Sequence, residues 1–322
     1  MKRSTFVTAL IAAALPFAAA AQTDWPTKPV SMIVPYPPGG LNDAVARVYA
    51  DKLTAILGKS VLVDNKAGAA TTVASNFVAK AAPDGYTIYA GGTSLVINPA
   101  LQGNVQYDPN KSFDLVSLMS FTPFILQVNA DFPAKTMAEL IAHVKANPGK
   151  FNMASSGIGA TNHMAAELFR ARTGLKYTIV PYRGGAQAAQ DLAGGSAQMM
   201  FSASLEAKPL LDTGKTRAIA ISSLKRSPAF PNIPTVAEVT DMPDFLAIFW
   251  QGMVLPAGTP KPIADKLQAA LAKVAADPEV IERFKVQGVE IRSSTPAEFK
   301  DFYLKEEKVW TTLIKQQGIK AE

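Results

Sequence analysis

Val30-Ser-Met-Ile-Val34 followed by Pro35-Tyr-Pro-Pro-Gly-Gly-Leu-Asn-Asp43 is the stretch that decides the fold. Five mostly apolar residues predict a short strand, and Ala44–Leu57 carries the spacing of an amphipathic helix. Between them, Gly39 and Gly40 let the backbone turn sharply with its N–H groups exposed. Asn42 or Asp43 can cap the helix that follows. A helix N-terminus with free N–H groups is a natural seat for an anion. The unit therefore reads as strand, glycine loop and helix, suited to a carboxylate or a phosphate.

Outward from this unit the same alternation continues, which marks an α/β chain. Ser60–Asn65, Tyr86–Gly91, Phe124–Val128, Phe151–Ala154, Thr178–Val180, Gln198–Phe201, Ala218–Ser222 and Gln251–Leu255 read as strands, with Val289–Arg292 a short one. Helical patterns fall on Thr71–Ala81, Met137–Ala146, Asn162–Thr173, Ala186–Ala193, Ala207–Thr213 and, after the turn Pro256–Pro260, on three segments up to Gln316. The strands form two doubly wound blocks. The tail has too few strands for a sheet of its own, so it is expected to pack back on the first block. That gives a discontinuous first domain, 22–122 with 251–322, and an inserted second domain, 123–250. Two strands near Phe121–Asn129 and Ile248–Leu255 would cross between them. Ligands of such sheets sit beyond the carboxyl ends of strands and between domains, which puts the site in the interdomain cleft.

The N-terminus is set apart from this pattern. Met1-Lys-Arg is basic, Phe6–Leu15 is apolar, and Ala19-Ala20-Ala21 supplies small residues before Gln22. This is the form of a cleaved secretory signal over residues 1–21, and it implies export, most simply to a bacterial periplasm. The chain has no cysteine, which rules out disulfides, a thiol nucleophile and zinc–thiolate clusters. Its 48% hydrophobic and 18% charged composition is that of a globular protein. The formal charge of +6 falls to +4 without Lys2 and Arg3, and the basic residues are scattered. That distribution argues against nucleic acid but gives a mild field for small anions.

Catalytic constellations are scarce. The only histidines are His143 and His163, and of the two His163, which opens a helix after a glycine loop, is the better candidate. No nucleophile elbow, Walker sequence or metal-ligand cluster occurs, and Gly157-Ile-Gly159 has Asn162 where a dinucleotide fingerprint needs a third glycine. No cofactor and no metal are expected. What recurs is the polar glycine loop before a helix, at Pro37–Asp43, Asn65–Thr72, Gly91–Asn98, Ser155–His163 and Tyr182–Gln187. Tyr36 and Gly40 in the opening segment, Ala69 in the second loop and Ser94 in the third are candidate ligand contacts. Ser155-Ser-Gly-Ile-Gly-Ala-Thr-Asn-His163 mirrors that segment, with Thr161 or Asn162 as cap. Facing loops of this kind can each hold one carboxylate.

Trp25-Pro-Thr-Lys-Pro29, Pro35-Tyr-Pro-Pro-Gly-Gly40 with Asp43, Ala81-Ala-Pro-Asp-Gly-Tyr86, Val180-Pro-Tyr-Arg-Gly184, Ile233-Pro-Thr-Val-Ala-Glu238 and Leu255-Pro-Ala-Gly-Thr-Pro260 together resemble the Bug (Bordetella uptake) receptors of tripartite tricarboxylate transporters. Asn98-Pro-Ala-Leu101, Ala154-Ser-Ser-Gly157 and Arg226-Ser-Pro228 add to the match. The resemblance implies a type II periplasmic-binding-protein fold without catalysis. It also implies capture of a small carboxylate in the cleft and delivery to a membrane permease. Carried over residue by residue, it assigns one carboxylate to Leu41, Asn42 and Asp43 and the far jaw to Gly159, Ala160, Thr161, Asn162 and His163. Three departures stand out. Asn42 stands where the family often has Thr, Gly68-Ala69-Ala70-Thr71 is poorer in glycine, and Ser202 stands where many members carry Asp. The loss of that acid points to a more anionic ligand.

Tyr36, Phe201, Phe249 and Trp250 offer aromatic surface near the cleft, although Phe249 and Trp250 can equally pack in the hinge core. The ligand expected is an aromatic dicarboxylate such as a phthalate isomer, with a citrate-like aliphatic acid as its rival. A sensor that presents its ligand to a membrane kinase would use the same closure. An exported enzyme acting on a small acid is disfavoured by the missing catalytic set. A monomer is the default for this fold.

Overall fold

The computed structural model describes residues 24–103 and 105–321, so the signal sequence expected at 1–21 lies outside the described residues. The chain opens with β1 (Val30–Val34), α1 (Leu41–Leu57), β2 (Val61–Asn65), α2 (Thr72–Ala79), β3 (Thr87–Gly92) and α3 (Ser94–Gln102). The long strand β4 (Phe113–Asn129) leads to α4 (Met137–Ala146), β5 (Asn152–Ser155), α5 (Thr161–Thr173), β6 (Thr178–Pro181) and α6 (Gly185–Gly194). Next come β7 (Met199–Ala203), α7 (Ser204–Asp212) and β8 (Thr216–Ile221). The tail holds β9 (Ile248–Pro256), α8 (Lys261–Ala275), α9 (Pro278–Lys285), β10 (Glu290–Ile291) and α10 (Pro296–Gln317).

One strand links the two halves. From Phe113 to Pro123, β4 pairs antiparallel with β9, and from Phe124 to Asn129 it pairs with β7 and β8. The first half reads β2-β1-β3-β9-β4, with β1, β2 and β3 parallel. In the second half, β7, β5 and β6 are parallel neighbours beside β4. The return path runs through 222–247, where Ala247 N–H donates to Ser222 O, and enters β9 with Ile248 opposite Pro123. These are two α/β halves of a periplasmic-binding-protein fold, with β9 seated between β3 and β4.

Parallel strands covered on both faces must be apolar throughout, and β1 is buried along nearly its whole length. One core, with Tyr49, Leu53, Met253, Leu267 and Phe284, fills the space between β1, β9 and the helices α1, α8 and α9. A second, larger one runs without a break from Ile33 and Tyr89, through Trp250 and Phe299, to Phe169, Phe201 and Phe245 in the second half. Its continuity fixes where each half's glycine loops emerge relative to the other's. Among the described residues no helix is long and apolar enough to cross a membrane.

Candidate functional site

The first wall is built on the N-terminus of α1. Gly40 is the N-cap (φ −79°, ψ 168°), and its carbonyl accepts Ala44 N–H at 2.9 Å. Leu41, Asn42 and Asp43 are therefore the first three helical residues, and neither Asn42 nor Asp43 caps the helix as the sequence suggested. Gly39, at φ +88°, completes the turn early enough for the helix to begin before them. Asp43 instead reaches back to Gly39 N–H at 2.9 Å and accepts Arg47 Nε and Asn65 Nδ2, both at 2.8 Å. Burial pushes the Asp43 carboxyl up, but the hydrogen bonds from Arg47, Gly39 and Asn65 outweigh it and hold the group below its ordinary range. Asp43 is thus occupied as a brace. Asn42 differs: its side-chain Oδ1 and Nδ2 are both buried without a partner, while its carbonyl accepts Gln251 Nε2 at 3.0 Å.

Beside this helix start, burial pushes the pKa of the Tyr36 hydroxyl up to about 12, with the neighbouring Ser94 hydroxyl pulling it the other way. Ser94 Oγ accepts a hydrogen bond from Thr71 Oγ1 at 2.7 Å. The loop carrying Ala69 is unusual, because Ala69, Ala70 and Thr71 all adopt positive φ, at 44°, 51° and 78°. Asn98 Nδ2 pins it by donating to Ala70 O at 2.6 Å. Phe249 is partly buried and stands edge-on to Tyr36, with ring centroids 6.0 Å apart. Gly92 makes room for it: a Cβ there would lie 3.3 Å from the Phe249 ring and 2.8 Å from Trp250 O. Trp250 itself is fully buried in the core, edge-on to Phe299, Phe302 and Tyr303. Of the two aromatic residues left open by the sequence, only Phe249 reaches the wall.

The second wall repeats the design at α5. Ala160 is the N-cap, and Thr161, Asn162 and His163 are its first three residues, so the cap again precedes the polar side chains. Asn162 is spent on the loop: Oδ1 accepts Ser156 N–H at 3.2 Å, and Nδ2 donates to Ser156 Oγ at 2.8 Å and Phe201 O at 3.2 Å. His163 is buried, and burial first, then Arg170, bring its pKa down to about 4, so the ring is neutral at pH 7. Its Nδ1 has no partner. Ser202, on β7, is fully buried with an unpartnered hydroxyl. Gly159 (φ +76°) touches the opposite half, since a Cβ there would lie 2.5 Å from Leu101 Cδ2. Ser204 Oγ likewise donates to Gln287 O across the halves.

Polar side chains also tie β4, β9 and the start of α3 together beside the first wall. Ser120 Oγ donates to Gln251 Oε1 at 3.4 Å, and Trp250 N–H to Thr93 Oγ1 at 3.2 Å. The sequence reading missed Gln251 and Thr93, although a lone Gln within Ile-Phe-Trp-Gln-Gly-Met-Val-Leu-Pro was a usable signal. It also missed Glu206, at the start of α7. The structure groups Tyr36, Ser94 and Thr71 on one wall and Ser156, Asn162 and Ser202 on the other. Among the described residues no hydrogen bond or ion pair joins the 36–43 loop to the 155–163 loop. Two surface hollows, about 440 Å³ around Arg170 and Lys176 and about 360 Å³ around Phe113 and Lys300, lie outside this arrangement.

Residues 45–319 match the model of the tripartite tricarboxylate transporter family receptor. Protein BugT of Bordetella pertussis is 34% identical over 304 residues, covering 92% of each chain. Among solved structures, the periplasmic binding protein BugD is 34% identical with a TM-score of 0.78, over 92% of this chain and 100% of that one. Rpa4515 of R. palustris, solved with adipate, is 31% identical with a TM-score of 0.82, over 92% of this chain and 99% of that one. This chain belongs to the receptor family of the tripartite tricarboxylate transporters.

Proposed function

We propose that this protein is a periplasmic receptor that closes two halves around a small carboxylate and presents it to a membrane permease. The observation that carries the reading is the set of buried polar atoms with nothing to bond: Asn42 Oδ1 and Nδ2 on the first wall, His163 Nδ1 and Ser202 Oγ on the second. Buried polar groups are satisfied in nearly all native proteins, and an unmade bond costs about 1–3 kcal/mol. A bound acid or its bridging water supplies partners to both walls together. The moving bodies in this reading are residues 22–122 with 251–322, and residues 123–250. The backbone N–H groups at the starts of α1 and α5 receive one carboxylate each. Tyr36, Gly40, Leu41, Asn42, Asp43, Ala69 and Ser94 line one side, and Gly159–His163 with Ser202 the other. Neither wall holds a nucleophile paired with a base, so the reading is capture rather than catalysis.

The finer assignment is an aromatic dicarboxylate such as a phthalate isomer, which the partly buried Phe249 beside Tyr36 supports through an apolar face on the first wall. A thermal-shift screen of phthalate isomers against adipate and citrate tests both levels. A ligand that binds the folded state at a hundred times its Kd should add about 2.7 kcal/mol of stability. A phthalate isomer is expected to give the largest rise in Tm. A larger rise with adipate would remove the aromatic assignment and leave the receptor, whereas no rise with any carboxylate would remove the receptor.

A further inference from the structure

Glu206 is the third residue of α7, which starts directly beyond the carboxyl end of β7. Its Oε1 lies 2.6 Å from the place a Cβ would take on Gly185, the first residue of α6, and Ser156 Oγ is 3.4 Å from the same point. Ser156 is the partner of Asn162 Nδ2. The carboxylate thus stands where the loops after β5, β6 and β7 converge, within the second wall. Oε2 is sequestered and has no hydrogen-bond partner. No Lys or Arg nitrogen comes within 4.0 Å of it among the described residues; the nearby Lys208 is bound to Asp212 at 2.8 Å. Four positions earlier, the fully buried Ser202 hydroxyl is also unpartnered. Burial pushes the Glu206 carboxyl up, as expected for an acid no cation compensates.

We propose that Glu206 determines specificity: it rejects a third carboxylate on the bound ligand and admits a hydroxyl in the same place. This rests on the carboxylate-receptor reading of the cleft. The N-terminus of a ten-residue helix such as α6 attracts an anion. Glu206 fills that place with a carboxylate of the protein's own, and Gly185 provides the room because any side chain there would meet Oε1. A ligand carboxylate brought to this point meets a like charge in a desolvated setting, where the two can persist only by sharing a proton. A ligand hydroxyl instead donates to Oε2 and satisfies it. Selection by a repulsive group is a common way to separate ligands that share every attractive contact.

The test uses the mature chain and two series of probes: phthalate, hydroxyphthalate and trimellitate, then glutarate, hydroxyglutarate and tricarballylate, titrated calorimetrically at neutral pH. Glu206→Gln, which keeps the shape and loses the charge, is expected to raise affinity for the tricarboxylate of the binding series at least about tenfold and change the dicarboxylate by less than about threefold. It should also weaken the hydroxylated acid relative to its parent, while Glu206→Asp keeps the wild-type ranking. An unchanged ratio of tricarboxylate to dicarboxylate in Glu206→Gln, with dicarboxylate binding intact, overturns this inference and leaves the receptor standing. A uniform loss of affinity across a series, with Tm lowered, assigns Glu206 to the structure of α7 and overturns it as well. If neither series binds the wild-type protein, the receptor reading falls and takes this inference with it.

Discussion

Glu306 shows how much one side chain can decide. It lies buried on α10 and accepts the indole N–H of Trp310 at 3.0 Å and of Trp250 at 3.2 Å. Burial raises its pKa to about 7, despite the two indoles, which pull it down. The unfolded chain ionises near the ordinary 4.5, so stability is greatest below that value, falls as pH rises through 7, and then levels off. The total loss is on the order of 3 kcal/mol. Glu306→Gln keeps an oxygen for the indoles and has no charge to bury. Its Tm should therefore gain on the wild type between about pH 5 and about pH 8, and a gap that does not change with pH would refute the assignment. The loop of Ala69, Ala70 and Thr71 makes the opposite point. Three consecutive L-residues at positive φ each bear a cost of roughly 1 kcal/mol. Ala70→Gly should raise stability in urea unfolding by up to about 1 kcal/mol, and no gain would show the loop to be unstrained.

Elements form where local signals agree and shift where a distant partner intervenes. The helix α10 was legible end to end: Thr295 and Glu298 form a reciprocal capping box, and Gly318 closes it at φ +62°. Thr295→Ala should cost about 1 kcal/mol in chemical denaturation. The first turns of α3 fall in the stretch Gly91–Asn98, read as a polar glycine loop before a helix, and Pro99 lies inside the helix that forms there. Pro99 has no N–H to offer the Leu95 carbonyl, and the Tyr107 hydroxyl donates to that carbonyl at 3.4 Å instead. The first part of β4 was missed, since its pairing partner β9 lies more than a hundred residues away. That pairing leaves no slack: a Cβ on Gly252 would stand 2.7 Å from Phe299 Cε1. Gly252→Ala is expected to lower stability by about 1–3 kcal/mol, measured by thermal unfolding. A neutral result would mean that α10 is free to shift on the sheet.

At the scale of the whole molecule, β4 gives both halves one continuous backbone, and a shared core passes beneath the site. The proposed closure therefore takes the form of a rotation about the shared strand rather than a separation. The contacts of Gly159 with Leu101 and of Ser204 with Gln287 join the two halves, and under the proposed closure they are where the cleft would be sealed. Solution scattering should show a smaller radius of gyration on addition of a ligand that raises Tm. No compaction with such a ligand would count against closure.

The sequence by itself determined the alternation of strands and helices, the glycine loops at the strand ends, the lack of thiol chemistry and the resemblance to carboxylate receptors. These follow from local periodicity, from the conformational freedom of glycine and from residue identity, none of which needs a distant partner. Tertiary structure alone decided that Gly40 and Ala160 cap the two helices, that Asp43 and Asn162 are spent on their own loops, and that Asn42 and Ser202 are left unpartnered. It also separated Phe249 from Trp250, neighbours in sequence whose side chains point to opposite faces of β9, one toward Tyr36 and the other into the core. Whether a polar side chain is free to meet a ligand depends on which other groups reach it first, and strand register and core packing bring those groups from far along the chain.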